Sequence, residues 1–301
     1  MDEIINYSNN KNTFLRLNVD KQVYNISGYS RAGLKTCIIM QDLNIVFDYG
    51  YADERAYSMT NKLISHGHMD HIGALHTDYS SRRLNNLEKM VKYIMPLQCI
   101  KPYKMLVSAY SHMNIGKCET YINMINKLSD TDIIGAEECT DIKVHLENEL
   151  YCTSFEMEHW VKSYGYIIYR KSKRLKEEYK DLDWKKIKEL KNNGIELSYE
   201  HYEPLVGYTG DTTIEGVLLH KEFLSVPLLI MECTGFKKED IIECQIGKHI
   251  HIDDINKNYK MFNNKKILLF HFSQKYRDIS EIEFFINKLD DNFKKNIRLF
   301  Y

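Results

Sequence analysis

The sequence predicts a layered α/β sandwich. Three observations lead there. Short runs of β-branched and aromatic residues recur along the chain, each bounded by a polar turn; a few apolar stripes at helical spacing fall between and after them; and 44% apolar residues in a chain of 301 supply enough side chain for an extended core. In order, residues 37–40 and 45–47 read as adjacent buried strands separated by the turn-forming Gln41, Asp42 and Asn44. Residues 62–64 form a third strand, ending at Ser65. Leu84, Leu87, Met90, Val91 and Ile94 fall at helical spacing, and Pro96 stops that helix; Tyr121, Ile125 and Leu128 predict a second. Strands follow at 150–155, 164–169, 205–208, 227–233 and 266–270. Ile279, Ile282, Phe285, Ile286 and Leu289 mark a last helix, and 297–301 a closing strand. No Gly/Ser/Pro-rich linker and no internal repeat divides the chain, so residues 1–301 are read as one domain.

Composition excludes several classes. Lys and Arg number 41 against 42 Asp and Glu, a formal net charge of −1, so a polyanion must be met by local charge and not by a basic coat. The longest apolar stretches are strand-sized and far short of the roughly 20 residues that cross a bilayer. A soluble protein with no membrane partner is expected. The start, Met1-Asp2-Glu3, lacks the basic and apolar pattern of a signal peptide. Seven scattered cysteines, without a CxxC pair, fit free thiols in a reducing compartment. The expected location is the cytoplasm, and a nuclear one is not excluded.

The chemistry concentrates in Ser65-His66-Gly67-His68-Met69-Asp70-His71, directly after a predicted strand. Three imidazoles and a carboxylate within six positions are hard to explain by packing. Neutral imidazole nitrogens with a hard anionic oxygen suit zinc, and the set also accommodates manganese or iron. A loop at a strand end can aim alternate side chains at one point. His66 and His68 would then serve one ion, Asp70 and His71 a second.

This His66-x-His68-x-Asp70-His71 run resembles the signature of the metallo-β-lactamase superfamily, whose fold is an αββα four-layer sandwich with its metal site along one edge of the sheets. The resemblance implies further ligands downstream, and His159, Asp211 (in Tyr208-Thr209-Gly210-Asp211-Thr212) and His271 stand at or near strand ends in the expected order. Two divalent ions offset by Asp70, a bridging Asp211 and a hydroxide would leave one net positive charge. That attracts a phosphodiester and still releases it, and a water ionised between the ions could attack phosphorus in line.

Around these positions, from about Gly28 onward, the chain resembles ribonuclease Z (tRNase Z), in its short plant-type form. The resemblance is carried by His159-Trp160-Val161-Lys162-Ser163-Tyr164-Gly165-Tyr166, Met231-Glu232-Cys233-Thr234, His249-Ile250-His251-Ile252 and His271-Phe272-Ser273-Gln274-Lys275-Tyr276, with Asp48 as the early structural aspartate. It implies removal of the 3′ trailer from precursor tRNA, two zinc ions and a homodimer. Carried over, Glu232 orients His249, the general acid that protonates the leaving 3′ oxygen, while Asp70 joins ligation and catalysis. Ser273 and Lys275 would contact substrate, Lys275 standing where the family has arginine, which keeps the charge without the bidentate grip. His251 is read as structural.

Residues 170–193 hold ten basic residues, among them Lys173, Arg174, Lys185, Lys186 and Lys188, against five acidic ones. Trp184, Ile187 and Leu190 give a helix one apolar face. In ribonuclease Z this interval holds the tRNA-gripping arm, so 170–194 is read as an inserted exosite tracking phosphates and not sequence. Two rival readings stay open: another phosphodiesterase of the same fold, acting on a cyclic nucleotide or a different RNA, and a non-catalytic RNA-binding relic.

Overall fold

A computed structural model describes residues 4–7, 13–85, 87, 89–115 and 133–301. Fifteen strands among them form two sheets. The first runs in sequence order: β1 (Ile4–Tyr7), β2 (Thr13–Val19), β3 (Gln22–Arg31), β4 (Lys35–Met40), β5 (Ile45–Phe47), β6 (Asn61–Leu63), β7 (Lys92–Met95) and β8 (Ile133–Gly135). Pairing is antiparallel from β1 to β5 and parallel from β5 to β8. The second sheet runs β9 (Val144–His145), β10 (Leu150–Met157), β11 (Ser163–Leu175), β12 (Ser198–Tyr208), β13 (Leu228–Glu232), β14 (Lys266–Phe270) and β15 (Ile297–Leu299). It too changes from antiparallel, β9 to β12, to parallel, β12 to β15.

The two sheets face each other across a core in which Leu15, Ile26, Ile38, Phe47 and Leu63 of the first meet Tyr166, Ile168, Tyr208, Ile230 and Phe270 of the second. The alternate residues of the same strands face outward and are covered by helices, as the two-residue period of a strand requires. Ile39, Val46 and Tyr93 pack with α1 (Met69–Ile72), α2 (Leu75–Leu84) and α3 (Leu97–Ile115) through Ile72, Leu75, Tyr103 and Val107. Ile167, Leu229 and Leu269 pack on the other side with residues such as Val217, Ile255 and Ile282. Those lie in α5 (Ile214–Leu219), α7 (Ile252–Asn258) and α8 (Ile279–Ile286); α4 (Trp184–Asn192), α6 (Ile241–Gly247) and α9 (Asp291–Lys294) complete the helices among the described residues. The expected order of layers, helix, sheet, sheet, helix, is what the chain builds.

One expectation fails, and the first three strands were not foreseen. The stripe from Leu84 to Ile94 is not one helix: α2 ends at Leu84, Leu84 and Met90 are exposed, and Lys92–Met95 is a strand. That segment is captured by parallel pairing with β6 on one side and β8 on the other, which outweighs its 3–4 spacing. Strands β1 to β3 precede the first expected strand. The helix expected around Tyr121, Ile125 and Leu128 lies outside the described residues.

The insertion between β11 and β12 leaves the sandwich. β10 pairs with β11 only as far as Arg170, whereas β11 and β12 continue as a two-stranded ribbon to the pair Leu175 and Ser198. A bulge between Ile168 and Tyr169, where Pro204 joins the register, marks the departure. At the tip sits α4, capped by Asp183, whose carboxylate accepts from the Lys186 amide at 2.9 Å. α4 buries none of its residues, and Trp184 is exposed. The arm thus extends to the returning strand, beyond residue 194.

Candidate metal centre

Parallel strands bring their carboxyl ends to one edge, and both sheets deliver donors there. Beyond β6 the chain passes through Ser65 to His66 and His68, and α1 carries Asp70 and His71. His159 lies in the bend between β10 and β11, Asp211 follows β12, Glu232 ends β13 and His271 follows β14. All seven predicted ligand positions converge. Asp211 Oδ2 lies 3.7 Å from His66 Nε2, 3.2 Å from His71 Nε2 and 3.3 Å from His271 Nε2. His68 Nδ1 is 3.0 Å from His66 Nε2 and 3.3 Å from His159 Nε2, and Asp70 Oδ2 is 3.3 Å from His271 Nε2. His66, His68, His159 and Asp211 form one group able to hold a cation; Asp70, His71 and His271 form another beside it.

The outward nitrogen of four imidazoles is fixed by a neighbour, leaving the inward one free to ligate. Asp48 Oδ2 holds His71 Nδ1 at 2.6 Å, Ser65 Oγ lies 3.0 Å from His66 Nδ1, the Lys248 carbonyl lies 3.2 Å from His159 Nδ1, and Thr234 Oγ1 lies 3.1 Å from His271 Nδ1. This outer shell sets tautomer and ring direction. Asp48 itself stands in the left-handed region, φ 58°, and also accepts from the Ser65 amide at 2.7 Å and from the Tyr208 hydroxyl. His271 is left-handed as well, φ 66°, a conformation that costs a non-glycine residue energy and collects at working sites. Gly210, φ 61°, must lack a side chain: a Cβ there would stand 2.5 Å from that of Ser65, so the Thr-Gly-Asp run can approach the histidine loop.

One buried polar atom lacks a partner in this cluster. Asp211 is 1% exposed, and its Oδ1 makes no hydrogen bond. A buried carboxylate oxygen without a donor is costly unless a cation meets it. Inward-facing imidazole lone pairs and an orphaned oxygen therefore fit a metal. Burial lowers the His66 pKa, with the neighbouring His71 charge adding to it, which keeps His66 neutral as a ligand must be. Burial alone would raise Asp70, but His271 and His71 outweigh it and hold its carboxyl well below the usual range.

Glu232 and His249 form a pair at the rim. Buried Glu232 accepts from His249 Nδ1 at 2.9 Å and from the Thr212 amide at 2.8 Å through Oε1, and from Thr234 Oγ1 at 2.8 Å through Oε2. Burial would depress His249, yet the Glu232 carboxylate raises its pKa to about 9. His251 faces elsewhere: it is buried, caps α7 by accepting from the Asp253 amide at 3.1 Å, and meets the Lys237 carbonyl at 3.0 Å. Ser273 lines a cavity of about 180 Å³ with Thr234 and His249. Lys275 is engaged by Asp240 at 3.2 Å and by Glu243, so it is not free for phosphate in this state. The sequence assigned no role to Thr234, Thr212 or the Gly33 amide, which donates to Asp70 Oδ2 at 2.7 Å. Thr234 ends the Met231-Glu232-Cys233-Thr234 run and is within reach of sequence reading; nothing in a turn between two strands marks Gly33.

No protein-family model matches this chain. Among curated proteins, the chloroplastic tRNase Z of Arabidopsis thaliana is 31% identical over 285 residues, 94% of this chain and 76% of the relative. A second tRNase Z of Arabidopsis thaliana is 33% identical over 265 residues, 86% of this chain and 89% of the relative. The chain belongs to the tRNase Z family. Solved structures give the fold: the metallo-β-lactamase fold protein YhfI of Bacillus subtilis superimposes with a TM-score of 0.55 at 14% identity, covering 90% of this chain and 92% of that one. The human short-form tRNase Z superimposes with 0.53 at 15% identity, covering 82% and 91%. The fold is therefore the metallo-β-lactamase α/β sandwich, and membership of tRNase Z implies a metal cofactor. Among the described residues no helix is long and apolar enough to cross a membrane.

Proposed function

We propose that this chain is a tRNA 3′ endonuclease that removes the trailer of precursor tRNA by hydrolysing one phosphodiester. Two zinc ions, for which manganese or iron could substitute, are the cofactor of this reading. His66, His68 and His159 would hold one ion, Asp70, His71 and His271 the other, with Asp211 shared. When bound, such ions neutralise phosphate charge and make a water nucleophilic near neutral pH. The chain's own groups do the rest. Asp70, ionised beside the imidazoles, would orient the attacking water by accepting a hydrogen bond from it as well as hold its ion. His249 is held by its Nδ1 on Glu232, which leaves Nε2 to carry a proton on a ring that is 20% exposed beside the donor cluster. As the P–O3′ bond breaks, that proton passes to the departing oxygen, leaving a tRNA with a 3′-hydroxyl and a trailer with a 5′-phosphate. The observation that carries the reading is this juxtaposition of a seven-donor cluster with a carboxylate-oriented imidazole in a chain of this family.

The arm supports a tRNA-sized substrate. Lys173 and Arg174 on the ribbon, with Lys185, Lys186 and Lys188 on exposed α4, could track a phosphate backbone away from the cut. Ser273, beside His249, would contact the substrate at the cut, and Lys275 would do so once released from its acidic partners. A homodimer fits the apolar side chains that α3 leaves exposed, Met105, Leu106, Tyr110 and Met113. A reducing location such as the cytoplasm or nucleus fits the six described cysteines, all free and buried. The test is incubation with a 3′-extended tRNA transcript and mapping of the ends. One cut at the 3′ side of the acceptor stem, leaving a 3′-hydroxyl, is expected. Cleavage of a cyclic dinucleotide or bis(p-nitrophenyl) phosphate with the transcript left intact would overturn it.

A further inference from the structure

The geometry points to Trp160 as a stacking platform for the nucleobase of the nucleotide whose 3′ oxygen departs; this inference rests on the tRNA-processing reading of the same site. Trp160 directly follows His159 in the bend after β10 and is 66% exposed. The indole is fixed despite that exposure. Its Nε1–H donates to the Ile246 carbonyl at 2.6 Å, which spends its single hydrogen-bonding group on the protein. What remains to offer a ligand is the π face.

The turn that fixes the indole is also the one that leads to His249. Ile246 lies in the last turn of α6, which Gly247 closes; Lys248 follows in the left-handed region, φ 53°; its carbonyl meets His159 Nδ1 at 3.2 Å, and its ammonium stands 5.7 Å from the centre of the indole ring. The rings of His159 and His249 are 5.2 Å apart. Trp160 is thus joined to the metal cluster through the chain and to the proton donor through residues 246–248. A planar group lying on this indole is next to a phosphate whose leaving oxygen faces His249. The Lys248 ammonium, paired with Glu158 at 3.5 Å, adds positive charge beside it. Ile246, whose carbonyl holds the indole, is itself exposed, as is Ile242 one helical turn before it. A flat aromatic group attached to a phosphodiester is a nucleotide, and stacking accepts any base, as an enzyme for many tRNAs requires.

Stacking on an aromatic residue corresponds to about a 5- to 150-fold change in affinity. Trp160→Ala should lower kcat/KM for a 3′-extended tRNA by a factor in that range, chiefly through KM, and Trp160→Phe should restore most of it. An abasic nucleotide at the leaving position should cost the wild-type protein the same factor and Trp160→Ala nothing more. Multiplying losses would overturn the assignment. The chain has two tryptophans, so in a Trp184→Phe background Trp160 is the sole indole fluorophore. Mature tRNA should quench it and the same tRNA with an abasic end should not; unchanged emission with tRNA bound would refute stacking. A wild-type protein that leaves the transcript uncut defeats the functional reading instead, while quenching by a single-stranded oligoribonucleotide still decides this one.

Discussion

Asp48, just past β5, and His71 of α1 meet at 2.6 Å, Oδ2 to Nδ1, with both side chains fully buried. The carboxylate pins the imidazole so that Nε2 points at Asp211 and His271, and it also binds the loop at Ser65. Asp48→Asn keeps shape and removes charge. Outer-shell losses of this kind cost about 10- to 100-fold in metal affinity. We expect that drop by competition with a zinc chelator, with the far-ultraviolet circular dichroism spectrum retained.

The pairing of Glu232 with His249 fixes a pH profile. Burial alone would lower the His249 pKa, but the carboxylate lifts it to about 9, so the acid form prevails at neutral pH. Because His249, as the proposed general acid, works only when protonated, turnover should decline as pH rises through that value. Glu232→Gln removes the raising charge and should move this alkaline limb to lower pH. His249→Ala should lower kcat by about 10²- to 10⁴-fold and abolish the limb. Rate profiles between pH 6 and 10 on a 3′-extended transcript check all three.

Asp211 has the one orphaned carboxylate oxygen of the cluster, and its partner oxygen touches three imidazoles. Asp211→Ala should therefore lose bound metal and turnover together. Elemental analysis after purification would expose a metal-replete, active variant, which the proposed bridging role does not allow.

The legible part of this site was what parallel strands make legible. β12, β13 and β14 are parallel neighbours, so whatever follows their last apolar residue lands side by side: Asp211, Glu232 and Thr234, His271. Each could be found by reading just past an apolar run. Where partners decide, the sequence is mute. Lys92–Met95 is a strand because β6 and β8 flank it, and nothing local separates it from the stripe that begins at Leu84. Pro102 hides α3, which nonetheless runs from Leu97 to Ile115 around it. β2 is a different case: Leu15, Leu17 and Val19 alternate with Arg16 and Asn18, a period of two in plain view. In the arm, the spacing of Trp184, Ile187 and Leu190 does mark a helix, but that face covers no core.

Asp240, which lines the cavity beside His249 without belonging to the donor cluster, offers a stability test. It is 3% exposed and accepts from Lys275 and from the Tyr276 hydroxyl. Burial raises its pKa, yet these donors and the Lys237 amide prevail and lower it below the ordinary value. A depressed carboxylate stabilises the fold above the unfolded pKa of about 3.9 and loses that contribution as pH falls through the lower folded value. Asp240→Asn should cost about 1–3 kcal/mol at pH 7, with the gap to wild type shrinking below pH 4. Urea melts at the two pH values measure it.

The arm makes the last prediction. Lys186 is paired with Glu189 at 3.1 Å, and Lys171 with Glu200, but α4 as a whole is exposed and buries nothing, so its charges face water and any polyanion. Exposed pairs contribute little to stability, so reversing Lys185, Lys186 and Lys188 to Glu should leave the melting temperature nearly unchanged. Binding should behave otherwise. Each lost phosphate contact lowers the slope of log affinity against log salt by about 0.7–0.9, so three losses flatten it by about 2–3. The KM for a 3′-extended tRNA should rise at low salt and converge on wild type as salt increases. An equal loss on bis(p-nitrophenyl) phosphate, too small to span from the centre to the arm, would mean the segment supports the fold and does not hold RNA.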